Sequence, residues 1–404
     1  MLRLGLAKLG RTGLLLAVAA LLSFGGAAGS ATGEARAEDA IKIGLSVPVT
    51  GPFAENGKQM LAAAKLFMEQ NGATIAGRPV ELIIRDDGGV ADQAKRIAQE
   101  LVVNARVAVL AGYNPTPSAL AVAPLATEAK IPQIVMGSST SFVTERSPYI
   151  ARTFSTQPQI TVPIAQWAAK NGITRVVTLV SDYAPGLETE KAFIDAFTAR
   201  GGQIVEALRV PLQNPDFAPY LQRARDAKPD ALFVWVPGGL AAPLLRQYVE
   251  RGLNRSGIKL IGTGDITDDA VLNQMGDPML GIVTSLQYSA AHPSAMNKAF
   301  VEGFRRVSNG HRPDHIGVAV YDGMHLIYAA IKQTGGNING DALIAAMKGM
   351  AWESPRGPIA IDPDTRDLVQ DVYIRRVERV DGELYNVEFD KFDAVHPGKA
   401  AQTR

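Results

Sequence analysis

Short apolar runs, each closed by a small or polar loop and followed by a helical stretch, recur along this chain in two series of four. The first series is Ile41 to Pro48, Val80 to Asp86, Val107 to Gly112 and Gln133 to Ser138; the second is Arg175 to Ser181, Gln203 to Val210, Ala231 to Pro237 and Lys259 to Thr263. Runs this short, apolar throughout and bounded by turn residues, predict strands buried on both faces of a parallel sheet. Between them the apolar spacing becomes helical. Met60, Ala63, Ala64, Phe67 and Met68 share one face before Asn71-Gly72 stops the run, and Ala192, Phe193, Ala196 and Phe197 do the same between Glu188 and Arg200, before Gly201-Gly202. The alternation predicts an α/β fold of two Rossmann-like lobes with parallel sheets. Gly112 and Pro237 are separated as Gly137 and Gly262 are, so the lobes should be alike and face one cleft. Ligands of open α/β sheets sit beyond the carboxyl ends of the strands, which places function in these loops.

A chain of 404 residues exceeds what one hydrophobic core organises. The polar, Pro-containing segment from Phe154 to Pro163 is expected to be the first crossing between lobes. After the second series come helices near Ser294 to Val307, Val318 to Lys332 and Asp341 to Met350, then strands around Pro358 to Ile361 and Asp371 to Val377. This remainder is too short for a third α/β domain and should return to complete both lobes through a three-segment hinge. The division expected is residues 38–156 plus 287–362 for lobe 1 and 157–286 plus 363–404 for lobe 2.

Composition changes this picture at the N-terminus. Arg3, Lys8 and Arg11 precede an uncharged run from Thr12 to Ala28, and small residues lead to Ala35-Arg36-Ala37. Residues 1–37 therefore read as a secretory signal peptide cut after Ala37; its apolar core, Leu14 to Phe24, is short for a bilayer span. No later segment is apolar for long enough to insert, so the mature chain should stay out of the membrane. With no cysteine there are no disulfides, no metal-thiolate sites and no thiol for an N-terminal lipid anchor, which leads to a soluble monomer, periplasmic if the host has two membranes. A formal net charge of +1 gives no reason to expect a nucleic-acid partner.

The loops carry the candidate chemistry. Gly51-Pro-Phe-Ala-Glu-Asn-Gly57-Lys58 opens a helix after a strand, but its glycine spacing and Gln59 depart from a phosphate-binding loop. Phe53 and Asn56 are better read as ligand contacts at the cleft edge. Gly137, Ser138, Ser139, Thr140 and Ser141 lack the flanking glycines of a nucleophile elbow. Their hydroxyls and N–H groups would suit a carboxylate, or would cap the next helix. In Tyr113-Asn114-Pro115-Thr116-Pro117-Ser118, Thr116 or Ser118 can cap a helix whose N-terminus also attracts anions. In the second series, Asp182 and Asp265 stand directly at strand ends and are candidates for a ligand cation or for turn formation. Asp268 and Asp269 read as the start of a helix over Ala270 to Met275. His311 and His315 are four apart with Pro313 between them, which spoils a helical metal pair, and no histidine pairs convincingly with an acid in the cleft. No metal and no cofactor are expected.

Taken together, the chain resembles the type I periplasmic solute-binding proteins of the branched-chain amino acid transport group, components of ATP-driven importers. The resemblance rests on Ile41-Lys-Ile-Gly-Leu-Ser-Val-Pro-Val-Thr-Gly-Pro-Phe-Ala, Asp86-Asp87, Ala119-Leu-Ala-Val-Ala-Pro124, Ser181-Asp182-Tyr183, Leu244-Leu-Arg-Gln247 and Tyr321-Asp322, and on their order over nearly all of the mature chain. It implies that Thr116, Gly137, Ser138 and Ser139 hold a ligand carboxylate, with Asn114 in the same loop. In amino acid carriers of this group the second lobe supplies an acid and aromatics for the ammonium. Here Pro237 falls near the expected aromatic, and Gly264 takes the acidic position with Asp265 one place on. Tyr113, Phe53 and Tyr183 could instead flank a ring, so a hydrophobic amino acid and an aromatic or aliphatic acid both remain open. The resemblance implies a non-enzymatic carrier that closes on a small carboxylate and delivers it to an ABC permease in the inner membrane. The alternatives are a ligand-sensing receptor subunit and, less in keeping with the residues, a secreted two-domain hydrolase.

Overall fold

The structure, a computed structural model, describes residues 40–397; the expected signal peptide and its cleavage after Ala37 lie outside the described residues. The first sheet holds β1 (Ile41–Val47), β2 (Thr74–Ile75), β3 (Arg78–Asp86), β4 (Val109–Gly112), β5 (Gln133–Val135) and β6 (Ile150–Arg152), in the order β2-β3-β1-β4-β5-β6. All pairings are parallel except the short β2–β3 ribbon. Between the strands run α1 (Ala54–Asn71), α2 (Ala91–Glu100) and α3 (Thr116–Ala129).

The second sheet begins after α4 (Gln157–Lys170). Its parallel part is β7 (Arg175–Ser181), β8 (Gln203–Val210), β9 (Ala231–Trp235), β10 (Lys259–Thr263) and β11 (Val283–Leu286). Helices α5 (Ala184–Thr198), α6 (Ala218–Asp226), α7 (Gly238–Glu250) and α8 (Leu272–Met275) lie between them. The chain then makes α9 (Ala295–Val307), α10 (His315–Gln333) and α11 (Gly340–Met347), whose Phe304, Val320, Ile327 and Leu343 enter the first core. It finally returns to the second sheet as β12 (Ala351–Ser354), β13 (Gly357–Ile361), β14 (Leu368–Val380) and β15 (Glu383–Val395), all antiparallel. The two-lobe α/β architecture expected from the sequence is thus present.

Each sheet is covered on both faces, which is why its strands read as continuous apolar runs. In the first lobe Ile43 and Leu45 face α1 and α10, while Leu110 and Val135 face α2 and α3. In the second, Leu179 and Val234 pack with α6 and α7, and Val180 and Phe233 with α4 and α5. The helices that follow β1 and β7, α1 and α5, are each drawn onto the strand before them by a glycine. A Cβ on Gly57 would stand 2.2 Å from the Pro48 carbonyl oxygen, and one on Gly186 would stand 1.9 Å from that of Ser181. No side chain fits at either place, so α1 and α5 begin directly over the strand ends.

Where the sequence suggested an irregular crossing through Pro163, α4 already starts at Gln157. Thr156 and Gln159 form a reciprocal capping box, and Pro163 lies inside the helix. Gln159 also donates to the carbonyls of Leu368 (2.7 Å) and Val395 (2.9 Å), so the first crossing is tied to the last strands. Ile359 and Ile361 of β13 bury in the first core while the strand hydrogen-bonds into the second sheet through β14.

Arg356 joins these segments. Fully buried, it pairs with Asp322 of α10 at 2.6 Å and donates to the Thr153 carbonyl and to Gln370. Asp322 also accepts from Trp352 and Ser354. Removing one partner of a buried ion pair strands the other. Arg356→Met is therefore expected to lower unfolding stability by about 3–5 kcal/mol, read from urea denaturation; a loss below ~1 kcal/mol would show that Asp322 is satisfied without it.

Candidate functional site

The carboxyl ends of both parallel sheets face one cleft of about 510 Å³, counting the part open to solvent. From the first lobe Phe53, Asn56, Asn114, Pro115, Thr116, Gly137 and Ser139 line it; from the second, Tyr183, Pro185, Trp235, Pro237, Asp265 and Asp268; from the connecting segments, Phe154, Gln157, His315 and Ile316.

The first-lobe side is built around the loop from Gly137 to Ser141. Arg152, with no exposed surface, donates from behind to the carbonyls of Ser138 (3.0 Å), Thr140 (2.7 Å) and Ser141 (3.2 Å), and the Ser139 carbonyl accepts from the Gln157 N–H. In a trans peptide the N–H points opposite to the preceding carbonyl, so the amides of Ser139, Thr140 and Ser141 are turned away from these donors. Ser141 demonstrates the result: its N–H donates to the Glu188 carboxylate of α5. Of these residues Ser139 lines the cleft, beside Thr116, so its amide and the two hydroxyls stand where a ligand carboxylate can meet them, while the Ser141 amide is taken by Glu188 outside the cleft. Ser139 Oγ accepts from Gln157 (2.8 Å), and Thr116 Oγ1 lies 3.2 Å from Thr140 Oγ1. Asn114 donates to the Gly137 carbonyl (2.7 Å) and accepts from Asn56 (3.3 Å), which fixes both loops against α1.

The opposite side is acidic and aromatic. Asp265 accepts from Thr263 Oγ1 at 2.7 Å. His315, the first residue of α10, stands between two carboxylates, with Nε2 3.8 Å from Asp265 and Nδ1 3.8 Å from Asp268. Those gaps exceed hydrogen bonds, and the ring leans on Phe154 with centroids 5.5 Å apart. Trp235 packs against Tyr183 at 5.6 Å, and its buried indole N–H has no partner within the protein. Burial, and then the nearby Asp265, push the Tyr183 phenol up, so it stays neutral. Asp268, Asp314 and His315 bring a potential metal ligand each within 4.8 Å of one another. Protein donors already engage this group: Asp314 caps α10 by accepting from Ile316 and Gly317 N–H, and Asp268 accepts from Ala270 N–H.

Of the residues singled out in the sequence, Phe53, Asn56, Asn114, Thr116, Gly137, Ser139, Tyr183, Pro237 and Asp265 come together here. Three do not. Tyr113 has φ of 66° and turns its ring into the core beneath α2 and α3, where its hydroxyl is unpartnered. Ser138 donates its hydroxyl to the Tyr113 carbonyl, 2.8 Å away, and Asp182 is exposed outside the cleft. Neither Thr116 nor Ser118 caps α3, because Pro115 holds the cap position and Thr116 is already helical. The helix expected from Ala270 is shorter, α8 starting at Leu272, and leaves Asp268 facing the cleft. His315 is the largest departure, since it does meet acids in the cleft.

The family model for periplasmic binding proteins matches residues 40–383. The chain belongs to that family. Among solved structures, this periplasmic binding protein is similar to a solute-binding protein of an ABC transporter from Rhodopseudomonas palustris BisB5 in complex with 3,4-dihydroxybenzoic acid, at 58% identity, TM-score 0.88, covering 89% of this chain and 99% of that one. A second, from Rhodopseudomonas palustris HaA2 in complex with p-hydroxybenzoic acid, is 42% identical with TM-score 0.86 and covers the same shares. A curated relative from Brucella melitensis, Leu/Ile/Val-binding protein homolog 6, is 40% identical over 90% of this chain and 95% of its own. Among the described residues no helix is long and apolar enough to cross a membrane.

The acidic end of the binding protein's cleft has a pH signature. Burial is the main cause holding the Asp268 carboxyl above its usual range, Asp269 and Asp265 adding and His315 opposing; Asp314 is raised further, by burial and then by Asp268. A carboxyl whose folded pKa is raised contributes stability that is present at low pH and lost as pH rises through that pKa. Asp268→Asn, which keeps an acceptor for Ala270, is therefore expected to melt above the parent by a margin that widens from pH 5 to pH 8 without ligand. A margin that stays flat or shrinks would show that Asp268 does not carry this penalty.

Proposed function

We propose that this chain is the extracytoplasmic substrate-binding component of an ABC importer and that its ligand is a hydroxylated aromatic carboxylate. The observation that carries the reading is the orientation of the loop from Gly137 to Ser141, whose carbonyls are gripped by Arg152 and Gln157 while its amides face the other way. N–H groups and hydroxyls hold a carboxylate without transferring a proton. Phe53, Phe154, Tyr183 and Trp235 supply flat walls, and Asp265, Asp268 and His315 supply acceptors for ring hydroxyls at the other side. The two Rhodopseudomonas relatives, bound to dihydroxy- and hydroxybenzoic acid, support the same class.

In this reading residues 38–156 plus 287–362 and residues 157–286 plus 363–404 close on the ligand about the three crossings. The site excludes water on closure, which strengthens the polar contacts. The mature protein, cut after Ala37, works in the periplasm as a monomer, returns its ligand chemically intact and hands it to an inner-membrane permease. A branched-chain amino acid is the second reading: Asp265 can meet an ammonium, and the Brucella relative's name points that way.

Calorimetry separates the two. 3,4-Dihydroxybenzoate and 4-hydroxybenzoate are expected to bind, benzoate about 10-fold or more weakly because the acidic end is left without a donor, and L-leucine not measurably. Thr116→Ala with Ser139→Ala should weaken every benzoate by about 10-fold. Leucine binding with no heat from the hydroxybenzoates would overturn the aromatic reading, and an unchanged affinity in the double variant would remove Thr116 and Ser139 from the clamp.

A further inference from the structure

One contact joins the two lobes without belonging to the ligand cleft. Glu188, on the second turn of α5, accepts from the Ser141 N–H at 3.1 and 3.2 Å and from the Ser141 hydroxyl. Neither residue lines the cleft. Ser141 ends the same loop whose earlier amides face the ligand space, and Arg152 holds its carbonyl from the far side (3.2 Å). The neighbouring residue of α5 makes a second bridge: Thr189 donates to Gln157 (2.8 Å), which in turn donates to Ser139 Oγ (2.8 Å). Two successive residues of α5 thus reach one first-lobe loop, directly and through Gln157.

We infer that Glu188 is a closure latch, an affinity-determining residue that stabilises the closed lobes through Ser141 without touching the ligand. This rests on the reading that the lobes open and close. Separation returns Glu188 and Ser141 to water; closure exchanges that water for charge-assisted bonds, which are stronger than neutral ones. The exchange is not free, since burial raises the Glu188 pKa, an effect opposed by the Ser141 bonds and by Arg152. A net gain small compared with ligand binding suits a latch, because a contact strong enough to close the lobes alone would block loading.

The test uses Glu188→Ala, Ser141→Ala and the double variant. With 3,4-dihydroxybenzoate as probe, stopped-flow binding to Glu188→Ala is expected to show dissociation about 10-fold faster, association unchanged and the ligand-free melting temperature unaltered. Ser141→Ala should have a smaller effect, since its N–H remains, and the double variant should match Glu188→Ala. Unchanged dissociation, or additive effects in the double variant, would overturn the latch. Failure of the probe to bind the parent protein would count against the proposed ligand instead. The latch is then read without ligand: the chain has no cysteine, so dyes on Val103→Cys in the first lobe and Arg251→Cys in the second report lobe separation by energy transfer. Glu188→Ala is expected to shift the distribution toward wider separation, and a distribution identical to the parent's would overturn the proposal whatever the pocket binds.

Discussion

The grip of Arg152 on the loop from Ser138 to Ser141 is the constraint on which the cleft depends. A buried guanidinium must have its donors answered, or its desolvation outweighs what its pairing contributes. Here Asp367 accepts at 2.6 Å and the loop carbonyls of Ser138, Thr140 and Ser141 take three further donors. The demand runs both ways. Because the arginine requires carbonyls, the peptide planes are held, and the amides on their other edge are fixed away from it. Asp367 lies just before β14, on the last return between lobes, and also accepts from Thr144. One ion pair therefore orients the anion-facing loop and fastens the hinge beside it.

That arrangement would hold an anion with dipoles instead of a cation. Among the described residues no lysine or arginine lines the cleft, so a carboxylate there would exchange water for N–H and O–H donors already in place, with little reorganisation of the protein. A buried cation would bring its own desolvation and would be left unpaired whenever the site emptied. Fixed amides avoid this: their carbonyl ends remain bonded to Arg152 and Gln157 whether or not a ligand is present.

Much of the framework was legible along the chain because parallel strands covered on both faces are apolar without interruption, and the strand starts and ends follow the composition closely. β15 escaped notice for the opposite reason. It lies at the outside of its sheet, paired with β14 alone, and Glu383, Glu388, Asp390, Lys391 and Asp393 make it read as a polar tail. Side-chain direction limited the reading of the site. Tyr113 and Asp182 stand at strand ends as expected, but a positive φ turns the first inward and exposure takes the second away. Trp235 is indistinguishable in sequence from the core residues of β9 around it, although its unpartnered indole faces the cleft wall. His315 has only His311 near it in sequence, whereas the acids it meets, Asp265 and Asp268, come from the other lobe.

The two lobes thus repeat a topology while dividing the chemistry. The first offers donors whose number and direction are fixed by backbone, which suits a group that is the same in every ligand of the class. The other end, where Asp265 and Asp268 of the second lobe meet His315 of α10, offers side chains instead. Burial, with Asp269 and Asp265 adding, holds Asp268 toward its neutral form, and burial and Asp268 do the same to Asp314, so this pair offers a carboxyl O–H as well as acceptors beside His315. A phenol both donates and accepts, and a catechol does so twice. An acidic end that can redistribute a proton among its own residues can satisfy one hydroxyl or two adjacent ones without leaving a buried polar atom unpaired. Discrimination among ring-substituted acids would then be set where Asp265 and Asp268 of the second lobe meet α10, and the requirement for a carboxylate at the loop from Gly137 to Ser141.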